Sequence, residues 1–282
     1  MESCKLNNGT EMPSLGIGVF MLTPEEAENS VYNALKNGYR LIDTANAYMN
    51  EKAVGRAMKK SGIDRKEIYL STKLWPSVYS KSDEAIDETL KRLDTDYIDL
   101  LFLHQPVGDY IGAYKSMEKA VKGGKVKTLG LSNFSKEQIE EVIEKCEIKP
   151  AVIQLEAHPY YPETEIKEYL YAFGAKVMAW YPLGHGDKNL INEDIFTELA
   201  KKYKKSNVQV ILKWHIQSGN IVIPGAKVEE HIKDNINIFD FELTDDEMNK
   251  IANLDSNTRY YYATEESLKG YLNFAPNFNE QK

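Results

Sequence analysis

Eight short apolar runs alternate with longer charged stretches along almost the whole chain. The runs are rich in Val, Ile, Leu and Tyr, and they lie at residues 15–20, 40–43, 68–73, 98–104, 126–131, 152–155, 176–180 and 221–223. This alternation predicts parallel strands joined by helical crossovers. Because α/β barrels reach a length of 282 residues without dividing, we expect residues 1–282 to form a single (β/α)8 TIM barrel domain. An open doubly wound sheet is the main alternative.

The charged stretches carry the start signals of helices. Thr23 and Glu26 form a capping-box pattern for a helix that we expect to run to Lys36. Further helices are predicted at 82–92, 110–122, 135–146, 163–173 and 193–204, and a C-terminal helix at 244–254. Asn8 and Gly9 predict the turn of an N-terminal β-hairpin. The aromatic, Asn-rich tail is expected either to line a pocket or to wrap the surface.

Three of the apolar runs end in side chains that can take part in proton transfer. Asp43 and Tyr48 lie in RLIDTANAYMNE, Lys73 lies in YLSTKLW and His104 lies in LLFLHQP. All strands of a parallel barrel end on one face, so these side chains are expected to meet there. A carboxylate, a phenol, an ammonium and an imidazole in one mouth suit proton transfer to a carbonyl oxygen. Each residue alone is more often structural, and their combination favours a catalytic site.

The glycine-rich segments do not support a nucleotide site of the open-sheet type. Gly16–Gly18 is too short for the dinucleotide fingerprint, and no acidic residue follows at the required distance on a new strand. Gly123 and Gly124 precede Lys125 with the wrong spacing for a P-loop. Any nucleotide is therefore expected to bind by another route.

Composition argues against several other classes of protein. The chain has 35 Lys and Arg residues and 43 Asp and Glu residues, which gives a net charge of −8. Its Lys-rich stretches alternate with acidic residues, so no nucleic-acid surface is expected. Cys4 and Cys146 are too few for a disulfide scaffold, and no Cys/His cluster has zinc spacing, so no metal is expected. The sequence shows no signal peptide and no membrane-spanning run, so we expect a cytoplasmic protein without membrane contact.

Six longer motifs occur in a fixed order: DTANAYMNEKAVGRA, LSTKLW, GKVKTLGLSNF, VIQLEAHPY, AWYPLG and IVIPGAKVEEHIKDN. In these motifs, and over nearly its whole length, the chain resembles the aldo-keto reductases. It is similar to the 2,5-diketogluconate reductases and prostaglandin F synthases of bacteria and protozoa. The resemblance implies a barrel that binds NADP(H) and/or NAD(H) without a Rossmann domain and reduces a small-molecule carbonyl substrate. Many proteins of this resemblance are monomers, so we expect a monomer or a weak oligomer.

The four polar residues at the strand ends can be given roles in carbonyl reduction, and the family assigns the same roles to the matching positions. Tyr48 is the candidate proton donor. Since a free phenol has a pKa of about 10, we expect the Lys73 ammonium to lower that pKa. Asp43 is expected to hold Lys73 charged and oriented. His104 is expected to hydrogen-bond the carbonyl oxygen and polarise it.

The residues expected at the cofactor by resemblance are Ser132, Asn133, Gln154, Trp180, Leu183, Gly184, Gly225, Ala226, Lys227, His231 and Asn235. Ser132, Asn133 and Gln154 match polar residues that bind the carboxamide, and Trp180 matches the aromatic residue that stacks on the nicotinamide ring. The loop 183–186 is expected near the pyrophosphate. Tyr181 stands just before it, where a Ser is common in the family.

The segment expected at the adenine end departs from the family pattern. The family commonly reads Ile-Pro-Lys-Ser followed by an Arg, and those cations clamp the 2′-phosphate of NADP(H). Here Gly225 and Ala226 replace Lys and Ser, and His231 stands at the Arg position. Charge-assisted bonds to phosphate contribute roughly 1.5–3 kcal/mol each, so their loss predicts efficient use of NADH. Alternatively, Lys227 reaches back to the phosphate and NADP(H) stays favoured.

The substrate pocket is expected to have Tyr48 and His104 at its base, with Phe20, Trp75 and the C-terminal tail as apolar walls. Gln105 stands where many family members have Trp, which predicts a wider or more polar pocket. Tyrosines of the tail are expected to add hydroxyls: Tyr260, Tyr261 and Tyr262. An aldehyde, a dicarbonyl or a keto sugar derivative is compatible with such a pocket.

Two other functions are compatible with a barrel of this length. The first is a cofactor-binding, redox-sensing regulatory module without significant turnover, which predicts damage to the four-residue set or a large extension. The second is a metal-dependent hydrolase or lyase, which predicts His or carboxylate ligands at several strand ends. The chain shows none of these signals, so both alternatives rank below the reductase.

Overall fold

The described part of the chain in the computed structural model, residues 2–282, contains ten strands in two sheets. They are β1 (Ser3–Lys5), β2 (Glu11–Pro13), β3 (Gly16–Gly18), β4 (Leu41–Asp43), β5 (Tyr69–Leu74), β6 (Ile98–Leu103), β7 (Val126–Ser132), β8 (Val152–Glu156), β9 (Lys176–Trp180) and β10 (Ile221–Val222). β1 and β2 pair antiparallel, and β3 to β10 form a parallel sheet in sequence order. A parallel bridge between Leu15 and Val222 brings the last strand back beside the first. The predicted barrel is thereby confirmed, and the open sheet is excluded.

Helices follow the strands and cover the outside of the barrel. They are α1 (Pro24–Lys36), α2 (Glu51–Ser61), α3 (Ser82–Leu93), α4 (Tyr110–Lys122), α5 (Lys136–Lys145), α6 (Thr164–Tyr171), α7 (Lys188–Ile191), α8 (Asp194–Tyr203), α9 (Asn207–Gln217), α10 (Glu229–Ile236), α11 (Asp245–Ala252) and α12 (Glu265–Asn273). Every predicted helix is present, and its ends differ from the prediction by at most two residues. The sequence patterns did not predict α2, α7, α9, α10 or α12. No helix within residues 2–282 has both the length and the apolar character needed to cross a bilayer.

Helix α1 shows how directly local sequence sets a boundary. The Thr23 hydroxyl accepts from the backbone N of Glu26 at 3.3 Å, and the Glu26 carboxylate accepts from the backbone N of Thr23 at 2.9 Å. The predicted capping box is confirmed, and Pro24 at the first helical position fits the same start. The second carboxylate oxygen of Glu26 accepts from Lys227 Nζ at 2.9 Å, so this helix start also fixes a partner of that lysine.

The N-terminal hairpin closes the amino end of the barrel. Its loop has three residues, because Leu6 and Thr10 are the residues joined across it and Gly9 has a left-handed backbone, with φ of +84°. The prediction of a turn at Asn8 and Gly9 placed the loop correctly but made it one residue too short. Leu6 and Met12 pack on the barrel interior beside Leu41 and other strand residues. The opposite, carboxyl end of the barrel carries the cavity.

Candidate active site

A cavity of about 550 Å³ opens at the carboxyl ends of the barrel strands. The predicted site residues that line it are Phe20, Asp43, Tyr48, Trp75, His104, Gln105, Ser132, Asn133, Gln154, Trp180, Leu183 and Gly225. Those among the described residues that do not line it are Lys73, Gly184, Ala226, Lys227, His231 and Asn235. The structure thus brings together most of the residues that the sequence placed at one mouth.

Lys73 and Asp43 form a buried ion pair below the cavity. Lys73 Nζ lies 2.6 Å from Asp43 Oδ2 and 2.9 Å from the backbone O of Thr44. Asp43 Oδ1 also accepts from the Ser71 hydroxyl at 2.7 Å. The strand register produces this cluster, because Asp43 pairs with Ser71 on the next strand and Lys73 follows on the same face of that strand. Burial lowers the pKa of Lys73, and the Asp43 carboxylate opposes that shift.

Tyr48 stands above this ion pair. It ends a short 3-10 turn, Asn46–Tyr48, that directly follows β4. The turn is held by Asn50, whose buried side-chain amide donates to the backbone O of Val19 at 3.0 Å. The Tyr48 ring centroid is 4.9 Å from Lys73 Nζ. The phenol is therefore fixed close to the ion pair and partly open to the cavity.

The pKa of Tyr48 differs from the expectation drawn from the sequence. Burial raises the pKa of this phenol well above its ordinary value, and the negative charge of Asp43 acts in the same direction. The Lys73 ammonium, which is paired with a carboxylate 2.6 Å away, does not bring about a net lowering of this pKa against the effects of burial and of Asp43. The expected lowering by Lys73 was wrong for this structure. Tyr48 rests as a neutral phenol that retains its proton at neutral pH.

His104 lies directly after β6, and its backbone N donates to the backbone O of Leu74 at 3.0 Å. Its ring packs edge-on against Trp75 with centroids 4.9 Å apart, and it lies 5.5 Å from the Tyr48 ring. Burial lowers the pKa of His104 well below its ordinary value, and the Lys73 charge adds to this. The imidazole is therefore neutral. Nδ1 is buried without a partner, whereas Nε2 makes no hydrogen bond and is not among the buried atoms, so Nε2 is the nitrogen that a molecule in the cavity can contact.

Ser132 and Gln154, on β7 and β8, make long hydrogen bonds with their neighbours, whereas the neighbouring Asn133 is bonded at normal length. Ser132 Oγ lies 3.4 Å from Gln154 Oε1, and Gln154 Nε2 lies 3.3 Å from Asp43 Oδ1. Asn133 Nδ2 donates to the backbone O of His104 at 3.1 Å. Distances beyond 3.2 Å mark weak hydrogen bonds. Ser132 and Gln154 therefore keep donor and acceptor capacity for an amide group.

Trp180 provides a fixed aromatic surface beside these polar groups. Its Nε1 donates to Asn133 Oδ1 at 3.1 Å, which fixes the plane of the indole. The rings of Tyr181 and Tyr261 pack nearly perpendicular to it, at centroid distances of 4.6 and 5.6 Å. A fixed, half-buried indole next to amide and hydroxyl side chains fits a planar ring that carries a carboxamide, such as nicotinamide.

The C-terminal tail forms the opposite wall of the cavity. Tyr271 and Phe274 line it, and their rings pack on Trp75 with centroids 5.2 and 5.7 Å apart. Trp75 Nε1 also donates to the backbone O of Tyr271 at 2.8 Å. Of the two expectations for the tail, the pocket wall is confirmed. Phe20, which is 50% exposed, borders the same side.

The three consecutive tyrosines of the tail have different positions. Tyr261 lines the cavity, and its hydroxyl lies 2.7 Å from the Tyr271 hydroxyl. Tyr260 instead donates its hydroxyl to Asp187 Oδ2 at 2.6 Å. Tyr262 is 64% exposed. Only Tyr261 of these three contributes a hydroxyl at the cavity, so the expectation for the other two was wrong.

The loop 181–187 after β9 borders the cavity on the Trp180 side. Its backbone is left-handed at Tyr181, Gly184, His185 and Gly186. The Tyr181 ring lies against the His185 ring, with centroids 4.4 Å apart. Tyr181 therefore places an aromatic ring on the cavity side of this loop. His185 was not singled out from the sequence, because an exposed loop His carries no local signal of its partner.

The far end of the rim holds the cations that the sequence analysis considered for phosphate binding. Lys227 Nζ lies 2.9 Å from Glu26 Oε1, and the Lys227 side chain is exposed while that of Glu26 is partly exposed. His231 is exposed on α10, and Asn235 is buried on the same helix. Gly225 borders the cavity and adds no charge. The nearest Lys of this segment is thus already engaged by a carboxylate.

Sequence reasoning missed several residues that the structure places at the mouth. Met21 and Ala47 line the cavity, and Glu156 lies buried beside it. The run VIQLE did hold a signal for Glu156, because a carboxylate that ends a mostly apolar strand must find partners there. Residues 2–282 contain no group of three or more His, Cys, Asp and Glu side chains arranged to hold a metal ion.

Comparison with known proteins gives a consistent result. The model of the Aldo/keto reductase family matches residues 12–256. A glyoxal reductase of Bacillus subtilis is 41% identical over 262 residues, which cover 92% of this chain and 94% of that protein. The methylglyoxal reductase DkgA of Escherichia coli is 36% identical, with 90% and 94% covered. A Bombyx mori aldo-keto reductase, solved in complex with NADP, superposes with a TM-score of 0.89 at 30% identity and covers 97% of this chain and 98% of its own.

Proposed function

This chain belongs to the aldo/keto reductase family of NAD(P)H-dependent oxidoreductases, and on that premise we propose that it reduces aldehydes and ketones with Tyr48 as the proton donor. The observation that carries the proposal is the convergence of Tyr48, His104 and the Asp43–Lys73 pair at one cavity. These groups come from three strand ends that are up to 61 residues apart in the chain. If each of these residues had only a structural role, they would not need to lie at the same cavity.

The protein side of the reaction is a proton transfer. NAD(P)H, when bound, supplies the hydride for the carbonyl carbon. The neutral Tyr48 gives its proton to the carbonyl oxygen as charge develops there. His104 Nε2 donates a hydrogen bond to the same oxygen, which is consistent with its neutral state. Lys73, held by Asp43, stabilises the phenolate that Tyr48 leaves behind, and a later proton from solvent restores the phenol.

The residues that would hold the cofactor lie on the Trp180 side of the cavity. Trp180 would stack on the nicotinamide ring, and Ser132, Asn133 and Gln154 would bind its carboxamide. Leu183 and the following loop would lie along the pyrophosphate. The weak contacts of Ser132 and Gln154 support this, because a carboxamide would complete their hydrogen bonding.

We further propose that NADH is used with an efficiency close to that of NADPH. Gly225 and Ala226 offer no cation for a 2′-phosphate, and Lys227 is paired with Glu26 at 2.9 Å. To serve a phosphate, Lys227 would have to leave that carboxylate, and Glu26 would then repel the phosphate. The competing hypothesis, that Lys227 restores NADPH preference, requires this exchange of partners.

Small α-oxo aldehydes are the first substrate class to test, because relatives are named for glyoxal and methylglyoxal reduction. The cavity walls of Phe20, Trp75 and Phe274 also suit aromatic aldehydes. We propose that residues 1–282 act as one catalytic domain. On the resemblance to this family, we propose activity as a monomer or weak oligomer.

The decisive experiment compares NADH and NADPH oxidation with methylglyoxal and with 4-nitrobenzaldehyde, together with identification of the alcohol product. Similar kcat/KM values with the two cofactors would support both proposals. A preference of about 100-fold or more for NADPH would contradict the proposal on NADH, since that ratio corresponds to nearly 3 kcal/mol of phosphate binding. Absence of alcohol formation with every carbonyl would contradict the proposed reaction.

A further inference from the structure

Glu156 is a buried carboxylate at the mouth that the proposed proton transfer does not use. It is the last residue of β8, and its side chain is completely buried. In the sheet register it pairs with Trp180 on β9. A buried carboxylate is costly unless it is hydrogen-bonded, so its partners indicate what it does.

The partners of Glu156 lie in the C-terminal tail. Glu156 Oε1 accepts from the backbone N of Tyr260 at 2.6 Å, and Oε2 accepts from the backbone N of Tyr261 at 3.2 Å. His158 Nε2 lies 3.2 Å from Oε1, and Arg259 Nε lies 3.8 Å from Oε2. Both carboxylate oxygens are thus used to hold two consecutive backbone amides. The tail at this point has no strand or helix of its own to satisfy those amides.

The side chains of these two tyrosines contact the loop 181–187, Trp180 and the substrate wall. Tyr260 donates its hydroxyl to Asp187 in the loop 181–187. Tyr261 packs on Trp180 and contacts the Tyr271 hydroxyl in the substrate wall. One carboxylate therefore sets the position of contacts on both sides of the cavity, because Tyr260 contacts the loop on the cofactor side and Tyr261 contacts both the cofactor side and the substrate wall.

We propose that Glu156 is a positioning residue that holds the tail at Tyr260 and Tyr261, and through them fixes the loop 181–187 and the substrate wall. The proposal rests on the proposed function, because these walls matter as the binding surfaces of that reaction. Glu156 does not touch the reacting atoms. Its loss is expected to weaken binding on both sides of the cavity and to leave the chemical step largely intact.

The substitution Glu156→Gln tests this with little change in volume. A Gln side chain offers one oxygen, so one of the two amides would face an NH2 group, which cannot accept. We expect the amides of Tyr260 and Tyr261 to exchange hydrogen about tenfold faster, as the loss of a charge-assisted bond implies. KM for methylglyoxal should rise about five- to tenfold, and kcat should change less than about threefold. Glu165→Gln, an exposed change on α6, is the matched control and should alter neither readout.

A second variant tests the contact between Tyr260 and Asp187 by itself. Tyr260→Phe removes only the hydroxyl contact with Asp187, so the Kd of NADPH should rise about threefold or more while KM for methylglyoxal stays near the wild-type value. If Glu156→Gln fails to fold, faster exchange in residues 181–187 of Tyr260→Phe supports the proposal, and unchanged exchange there overturns it.

Unchanged amide exchange and unchanged KM in a folded Glu156→Gln protein would overturn the proposal directly. Hydrogen exchange is measured on the free full-length protein and needs no turnover. If the wild-type protein reduces no carbonyl compound, the proposed function fails, and the exchange experiment still decides whether Glu156 holds the tail.

Discussion

The floor of the cavity and its far rim each contain a Lys–carboxylate pair, but the two pairs are held differently. On the floor, Lys73 and Asp43 lie 2.6 Å apart, and both side chains are almost fully buried. On the rim, Lys227 and Glu26 lie 2.9 Å apart, and the side chains are 57% and 35% exposed. The floor pair comes from neighbouring strands in fixed register, whereas the rim pair joins a loop to the first turn of α1.

The difference in burial between the two pairs indicates which of them can exchange its partner. Breaking a buried pair leaves an uncompensated charge and costs about 3–5 kcal/mol. An exposed pair contributes only about 0–1 kcal/mol, so water, a phosphate or a ribose hydroxyl can replace one partner. The floor is therefore suited to one fixed proton-transfer chemistry. The rim is suited to tuning which cofactor is used.

The largest expected effect is that of Tyr48→Phe on the floor. Removing the only proposed proton donor should lower kcat/KM by about 10²- to 10⁴-fold, the usual contribution of a positioned general acid. The Kd values of NADH and NADPH should stay within about twofold of wild type. Fluorescence titration and steady-state kinetics measure the two effects. Tyr39→Phe is the control: it removes another buried hydroxyl away from the cavity and should leave turnover unchanged. Normal turnover of Tyr48→Phe would contradict the donor role.

Lys73→Met tests whether the floor pair serves catalysis or only stability. Asp43 would be left buried without its cation, so unfolding should need about 3 kcal/mol less free energy, and kcat should fall by about 100-fold or more. Lys213→Met is the control for the loss of a buried ammonium, because Lys213 is also fully buried, although its partner Glu242, at 2.7 Å, is 67% exposed. Denaturant unfolding and kcat should separate the two variants. Equal losses of kcat in both would show that only stability is involved.

Two substitutions on the rim test whether it sets the preference between NADPH and NADH. Gly225→Lys restores a cation with room for its side chain, since a Cβ at Gly225 would lie 3.5 Å from the Gly18 backbone O. It should raise the NADPH:NADH ratio of kcat/KM by about tenfold or more. Glu26→Gln keeps a capping residue at the start of α1 and frees Lys227, so the ratio should rise by less, about two- to fivefold. No change in either variant would place the 2′-phosphate away from this part of the rim.

The smallest expected effect concerns the pH dependence of stability at Glu163, the residue that precedes α6. Burial raises the pKa of Glu163 to about 7, above its unfolded value of about 4.5. The folded state then binds more protons than the unfolded state between these values, so this contribution to stability is present below pH 4.5 and is lost as pH rises through 7. The Tm of Glu163→Gln minus the Tm of wild type should therefore increase by about 2 °C as the pH is raised from 5 to 8. Glu165→Gln should show no such trend, and a constant difference in Tm for Glu163→Gln would contradict the shift.

Much of the fold was predictable because its signals are local. Strand runs, the Thr23–Glu26 capping box and the helix at 110–122 are set by residues close in sequence, and they appear within two residues of their predicted bounds. Helix α12 escaped prediction because its stretch has weak periodicity and is held by contacts such as Trp75 to Tyr271, which are 196 residues apart. Local sequence patterns do not indicate contacts between residues so far apart in the chain.

The sequence alone determined that Asp43, Tyr48 and His104 would share one mouth with Lys73 beneath it. Strand ends of a parallel barrel meet on one face whatever the details of packing. Tertiary structure decided the raised pKa of Tyr48, the pairing of Lys227 with Glu26, and the hold of Glu156 on the tail. These properties depend on burial and on distances between segments far apart in the chain. Electrostatic energies change steeply with both, so only the folded arrangement fixes them.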